Sequence, residues 1–178
     1  MQDHKYLFPN HKMFLMKKSI VIVLLMFGHF GLAQDITTYY LIRHAEKERA
    51  NPSNRDPHLT AIGQERAENW QKIFKQVSFD MIYSTPYHRT RETAQPTATA
   101  KELTVEMYDP RDLYNASFRE KNVGKTVLVV GHSNTTPALA NKILGREEFP
   151  QIDDRTNGNL YILLVTSQGV SSQLLSIE

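Results

Sequence analysis

The chain has 178 residues, 40% apolar and 22% charged, which fits one ordinary globular domain and excludes a disordered chain. Its formal charge of +2 comes from the front: residues 1–33 carry Lys5, Lys12, Lys17 and Lys18 against Asp3 alone. The rest holds 17 basic and 18 acidic residues, a formal charge of −1, so nucleic acid and anionic membrane are not expected partners. With no cysteine, disulfides, thiol catalysis and Cys-bound zinc are excluded.

Residues 17–33 read as a secretory signal. Lys17 and Lys18 form the positive start, and Ile20 to Phe27 is an unbroken apolar run. Gly31 and Ala33 place small residues at −3 and −1 of a cut before Gln34. The run is short of the roughly 20 residues that a membrane span needs, so no stable insertion is expected after cleavage. The polar residues before Met13 do not suit such a signal, and the expected translation start is Met13 or Met16. The expected organisation is a leader over 1–33 and a domain over 34–178, periplasmic or secreted.

Thr37 to Ile42 is β-branched, aromatic and apolar, and is expected to be a buried strand ending at Arg43-His44. Asn51-Pro52 and Asp56-Pro57 mark a loop. Thr60 is expected to cap a helix to about Gln76, with Ile62, Ala67, Trp70, Ile73, Phe74 and Val77 as its apolar stripe. Phe79 to Tyr83 is a second strand, followed by Ser84-Thr85-Pro86 and a helix from about Tyr87 to Ala100, interrupted at Pro96. Thr104 to Met107 is a third strand, and a poorly patterned segment with one short helix runs to Asn122.

Lys125 to Val130 contains Thr-Val-Leu-Val-Val, the continuous run expected when both faces of a sheet are covered. It ends in Gly131-His132-Ser133. Thr136 is expected to cap a helix begun by Pro137 and stopped by Gly145. Asn157-Gly158 reads as a turn. Two strands, Asn159 to Thr166 and Val170 to Ile177, are joined at Gln168-Gly169 as an antiparallel hairpin.

Strand ends thus deliver Arg43-His44, Arg89 on the following helix start, and Gly131-His132. The sequence resembles the histidine phosphatase superfamily, also called phosphoglycerate mutase-like. The resemblance rests on Arg43-His44-Ala45-Glu46, Leu59-Thr60-Ala61-Ile62-Gly63, the Ser84 to Ala94 segment with Arg89 and Thr93-Ala94, and Gly131-His132. It implies an α/β three-layer sandwich: a central mixed, mostly parallel sheet flanked by helices, with the site at the carboxyl ends of the first and fourth strands.

The resemblance implies that His44 is the nucleophile and that Arg43, Arg89 and His132 bind phosphate, His132 also serving catalysis. Asp109 is the candidate proton donor, with Glu106 as the fallback. A proton donor needs a raised pKa, which a neighbouring Arg would oppose. Two guanidiniums suit a phosphate dianion in charge and in fork geometry, and phosphoryl transfer is mostly positioning and charge stabilisation.

No cofactor is expected, and the remaining histidines show no recognisable metal-ligand spacing. The expected activity is hydrolysis of a phosphate monoester or phosphoramidate, on a small molecule or a phosphoprotein. A phosphohistidine-specific phosphatase, a mutase and a non-catalytic phosphate-binding module remain open. Lys47, Arg91, Tyr87 and His88 are expected at the rim or surface.

Overall fold

The computed structural model describes residues 36–177. The expected signal segment lies outside the described residues. Among those described, no helix is long and apolar enough to cross a membrane.

One six-stranded sheet organises the domain. Its strands are β1 (Thr37–Arg43), β2 (Met81–Ser84), β3 (Val105–Met107), β4 (Thr126–Gly131), β5 (Asn159–Thr166) and β6 (Gly169–Ser176). The spatial order is β3-β2-β4-β1-β5-β6. The first four strands pair parallel, whereas β1–β5 and the β5–β6 hairpin pair antiparallel. Among the described residues four helices accompany them: α1 (Ala61–Ile73), α2 (His88–Ala100), α3 (Ala116–Asn122) and α4 (Thr135–Leu144). The mixed, mostly parallel sheet agrees with the expected fold class.

The sequence of β4 explains the layering. Val127 and Val129 point into a core with Leu139 and Ile143 of α4, while Leu128 and Val130 point into one with Trp70 of α1 and Ala94 of α2. Every one of these strand residues is buried. Each such side chain contributes about 1.5–3 kcal/mol, so the central strand is apolar without alternation because neither face meets water.

Three local expectations are corrected. Ile62 and Ile73 leave the stripe of α1, being 65% and 37% exposed; the buried face is Gly63, Ala67 and Trp70, continued by Phe74 in the following 3-10 turn. Gly63 sets that rotation, because a Cβ there would overlap the backbone of Glu46. Next, α2 runs through Pro96. An interior proline costs about 3 kcal/mol in lost hydrogen bonding and ring clash, and burial of Thr93, Ala94, Thr97 and Ala98 holds the helix despite it. Finally, α4 begins at Thr135, with Asn134 as its cap residue, not at Pro137. The Thr136 hydroxyl is turned instead to the Ile42 carbonyl at 3.3 Å, tying α4 to β1. Gly145 ends α4 at φ +72° as expected.

Candidate active site

β1 and β4 are adjacent and parallel, with Arg43 in register with Gly131. Their carboxyl ends therefore release Arg43-His44 and His132 side by side, as ligand sites in open α/β sheets require. The His44 amide donates to the Gly131 carbonyl at 2.9 Å, so the two segments are joined one residue beyond the sheet.

His44 is buried. Its Nδ1 lies 2.7 Å from the Ala45 carbonyl oxygen. A carbonyl only accepts, so the proton is on Nδ1 and the Nε2 lone pair is left free for attack. Burial, first of all, lowers the pKa to about 3; the Ala45 carbonyl opposes this, while Arg43, His132 and Arg89 add to it. His44 is therefore a neutral imidazole near pH 7, the state a nucleophile needs.

The His132 ring stands 5.5 Å from that of His44, centroid to centroid. Its Nε2 is 2.9 Å from the Thr85 hydroxyl, which is itself 2.8 Å from the Thr90 hydroxyl. The Thr90 proton is directed to the Thr85 and Tyr87 carbonyls. Thr90 must then accept from Thr85, and Thr85 from His132 Nε2–H. This leaves Nδ1 as the lone-pair nitrogen of His132. Its pKa is lowered to about 4, mainly by burial and next by Arg89.

Arg43 is only 1% exposed. Its Nη1 donates to the Asp153 and Thr156 carbonyls at 2.8 and 3.0 Å, and its Nη2 to Asp154 Oδ1 at 2.7 Å. Arg89 is anchored more loosely, with Nη1 3.6 Å from Asp56 and its guanidinium 4.5 Å above the Tyr87 ring. The buried Nε atoms of Arg43 and Arg89 have no hydrogen-bond partner among the described residues. Buried donors are ordinarily satisfied, so both arginines keep capacity for an anion.

A cavity of about 390 Å³ gathers Arg43, His44, Arg89 and His132, with Lys47 and Arg111 at its wall. Lys47 has a lowered pKa from burial and then from Arg89 and Arg49. Tyr87, expected at the rim, and Lys47, expected at the surface, both line the cavity wall. Asp154 is the carboxylate of this wall, and its bonds to Arg49 and Arg43 hold its pKa at about 2.

The spacing of Thr60, Gly63 and Thr93 has a local purpose. Thr93 Oγ1 accepts from the Ala45 amide at 2.9 Å and donates to the Arg89 carbonyl at 2.7 Å. Thr60 donates its amide to the Glu46 carbonyl, and Gly63 allows α1 to lie against the same backbone. The loop after His44 is thus clamped by α1 and α2 together.

Asp109, expected as the proton donor, stands beside the cavity and not in its wall. It lines neighbouring cavities. Arg111 binds it through Nε at 2.9 Å and Nη2 at 2.8 Å, holding the carboxyl at about 2 and ionised. The fallback Glu106 is ion-paired with Lys121, also away from the His44 cavity.

Asn157 departs from expectation too. The turn falls at Asp154-Arg155, and Asn157 is buried with its Nδ2 donating to the His44 carbonyl at 2.9 Å. Gly158 is needed because a Cβ would overlap the Ile177 carbonyl. The Asn-Gly pair spells a turn locally, but here it serves tertiary packing. Thr85 and Asn157 are the supporting residues that sequence reading missed. Beside the cavity, His58, His88 and Glu92 come together with ligand atoms within 4.8 Å of one another.

Comparisons with known proteins agree with this geometry. The model of the histidine phosphatase superfamily (branch 1) matches residues 39–111, bearing out the resemblance read from the motifs. No protein of curated function matches the sequence significantly. A solved structure of the protein histidine phosphatase SixA complexed with tungstate is similar at TM-score 0.62 and 18% identity, covering 78% of this chain and 96% of that one. The alpha-ribazole phosphatase from Shigella flexneri gives TM-score 0.59 at 19% identity, covering 79% and 96%. A phosphoserine phosphatase variant from Entamoeba histolytica, in complex with phosphoserine, gives 0.59 at 17%, covering 77% and 95%. At these identities the likeness establishes the fold.

Proposed function

We propose that this chain, similar over residues 39–111 to the histidine phosphatase superfamily, is a phosphatase that works through a phosphohistidine on His44. The observation that carries the reading is the state of His44: buried, neutral, with its proton committed at Nδ1, in a cavity shared with two arginines that have unspent donors. Nε2 attacks phosphorus as the bond to the leaving group breaks. Water then attacks the phosphoimidazole, and inorganic phosphate leaves with Nε2 free again. Arg43 and Arg89 stabilise the charge on the phosphoryl oxygens, an effect worth about 3–4 kcal/mol for a single such donor.

An arriving dianion raises the pKa of nearby imidazoles. His132, with Nε2–H given to Thr85, takes a proton from solvent on Nδ1 and offers it to a phosphoryl oxygen. Among the described residues, no carboxylic acid held neutral lines the wall: Asp154 is ionised and Asp109 is elsewhere. This favours substrates that leave without strong acid assistance. A phosphohistidine protonated by solvent on its other ring nitrogen expels a neutral imidazole, the base of an acid of pKa about 6.5, and this is far less demanding than expelling an alkoxide near the ~15.7 of water. Phosphoramidates, as in a phosphohistidine on a protein, fit best, followed by aryl esters. That one similar structure is named a protein histidine phosphatase supports the same reading. Export with loss of residues 1–33 is part of the proposal, and N-terminal sequencing of secreted protein beginning at Gln34 would support it.

A leaving-group panel tests the chemistry. General acid catalysis contributes roughly 10²–10⁴-fold, so a phosphohistidine peptide should be hydrolysed at least ~100-fold faster than an alkyl monoester. Asp109→Asn should leave both rates within about twofold. Equal rates on the two substrates, or a large loss in Asp109→Asn, would remove the leaving-group reading. A second reading, a phosphate-binding module without turnover, draws on the position of Asp109. It would be favoured by phosphate binding with no release from any substrate between pH 4 and 8.

A further inference from the structure

We propose that His58, His88 and Glu92 form a surface site for a divalent transition-metal ion, with zinc the best match, beside the phosphate cavity and separate from it. The three residues come from two segments. His88 and Glu92 stand four apart on the first turns of α2, hence on one helix face. His58 comes from the loop that ends at α1. Their ligand atoms all lie within 4.8 Å of one another. A tetrahedral ion with bonds of about 2.0–2.2 Å needs ligand atoms about 3.3–3.6 Å apart, a contraction that side-chain rotation supplies.

The groups are held in place before any ion arrives. The imidazoles of His58 and His88 are stacked at 4.1 Å between centroids. Glu92 Oε2 accepts from the Leu59 amide at 2.8 Å, which aims Oε1 at His58 Nδ1. The His88 amide donates to Asp56 Oδ1 at 2.8 Å, and Asp56 Oδ2 is 3.8 Å from His88 Nε2. One carboxylate ligand is thus oriented from behind by a backbone donor, as metal ligands commonly are. The two-imidazole, carboxylate set is one that zinc accepts, with a water in the fourth position.

The proposed ion replaces the His58–Glu92 hydrogen bond and fastens the loop at 51–58 to the helix that carries Arg89. None of the three ligands lines the His44 cavity, so the ion has no part in phosphoryl transfer.

The test is zinc binding by the full-length chain, in competition with a chromophoric chelator, against a His58→Ala/His88→Ala variant. The histidines of residues 1–33 and those of the cavity are unchanged in that variant. The wild type should bind one equivalent more, with affinity at least tenfold tighter than anything the variant retains. Glu92→Gln, which keeps the shape of the side chain, should weaken that equivalent about tenfold. Limited trypsin digestion gives a second readout: zinc should slow cleavage after Arg55 in the wild type and not in the double variant. Equal zinc stoichiometry and affinity in wild type and double variant would overturn the proposal and leave His58–Glu92 as a plain hydrogen-bonded pair.

Discussion

Two neutral histidines, His44 buried and His132 half-buried, make the protein sensitive to mild acid. His44 has a folded-state pKa of about 3 and His132 of about 4, against about 6.5 when exposed. Both folded values lie below the unfolded value. The unfolded chain therefore takes up protons first as pH falls, and the stability present above pH 6.5 is lost on the way down. One pKa unit is about 1.36 kcal/mol, so at pH 5 each histidine costs about 2 kcal/mol and the pair about 4. His132 is partly exposed, which makes its share the smaller one. Against a whole-domain stability of about 5–15 kcal/mol this is a large fraction. The depressed carboxylates do not confuse the window, because Asp154 and Asp109 lose their contribution only below their ordinary value of 3.8. The assay is urea denaturation at pH 7.5 and pH 5, for wild type, His44→Gln and His132→Gln. Wild type should lose about 4 kcal/mol between the two pH values, and each variant roughly half as much. If wild type lost less than ~1 kcal/mol, or both variants kept the full pH dependence, the buried-neutral assignment would be wrong.

Three further outcomes follow from the site. Arg89→Lys should keep the charge but lose the fork, lowering kcat/KM for a phosphorylated substrate by about 10²–10³-fold, with thermal stability near that of wild type. Gly63→Ala should drive α1 off the Glu46 backbone, costing about 1–3 kcal/mol in a denaturation curve and lowering kcat through the displaced His44 loop. Asn157→Ala should leave the buried His44 carbonyl without its donor, costing about 1–3 kcal/mol, with a fall in kcat greater than any rise in KM.

What could be read from the residues was what local pattern determines. The apolar run of β4 declared a strand covered on both faces, and the groups released at the strand ends gave Arg43, His44 and His132. What could not be read depends on tertiary contact. A neighbouring Arg was visible beside Asp109, but that Arg111 turns back to bind it outside the cavity is set by the fold. Asn157-Gly158 carries a turn signature, yet the pair is buried because β6 and the His44 loop close over it. Ile62 looks like core until Gly63 is seen to set the face of α1. His88 and Glu92 stand four apart in sequence, but His58 joins them only through the fold.

The most direct measurement is capture of the phosphorylated enzyme. Brief reaction with ³²P-labelled phosphoramidate, followed by an alkaline quench and peptide mapping, should give an alkali-stable, acid-labile label on His44 that decays to inorganic phosphate at the turnover rate. His44→Ala should carry none. Label on another residue, or turnover in His44→Ala at the wild-type rate, would contradict the account.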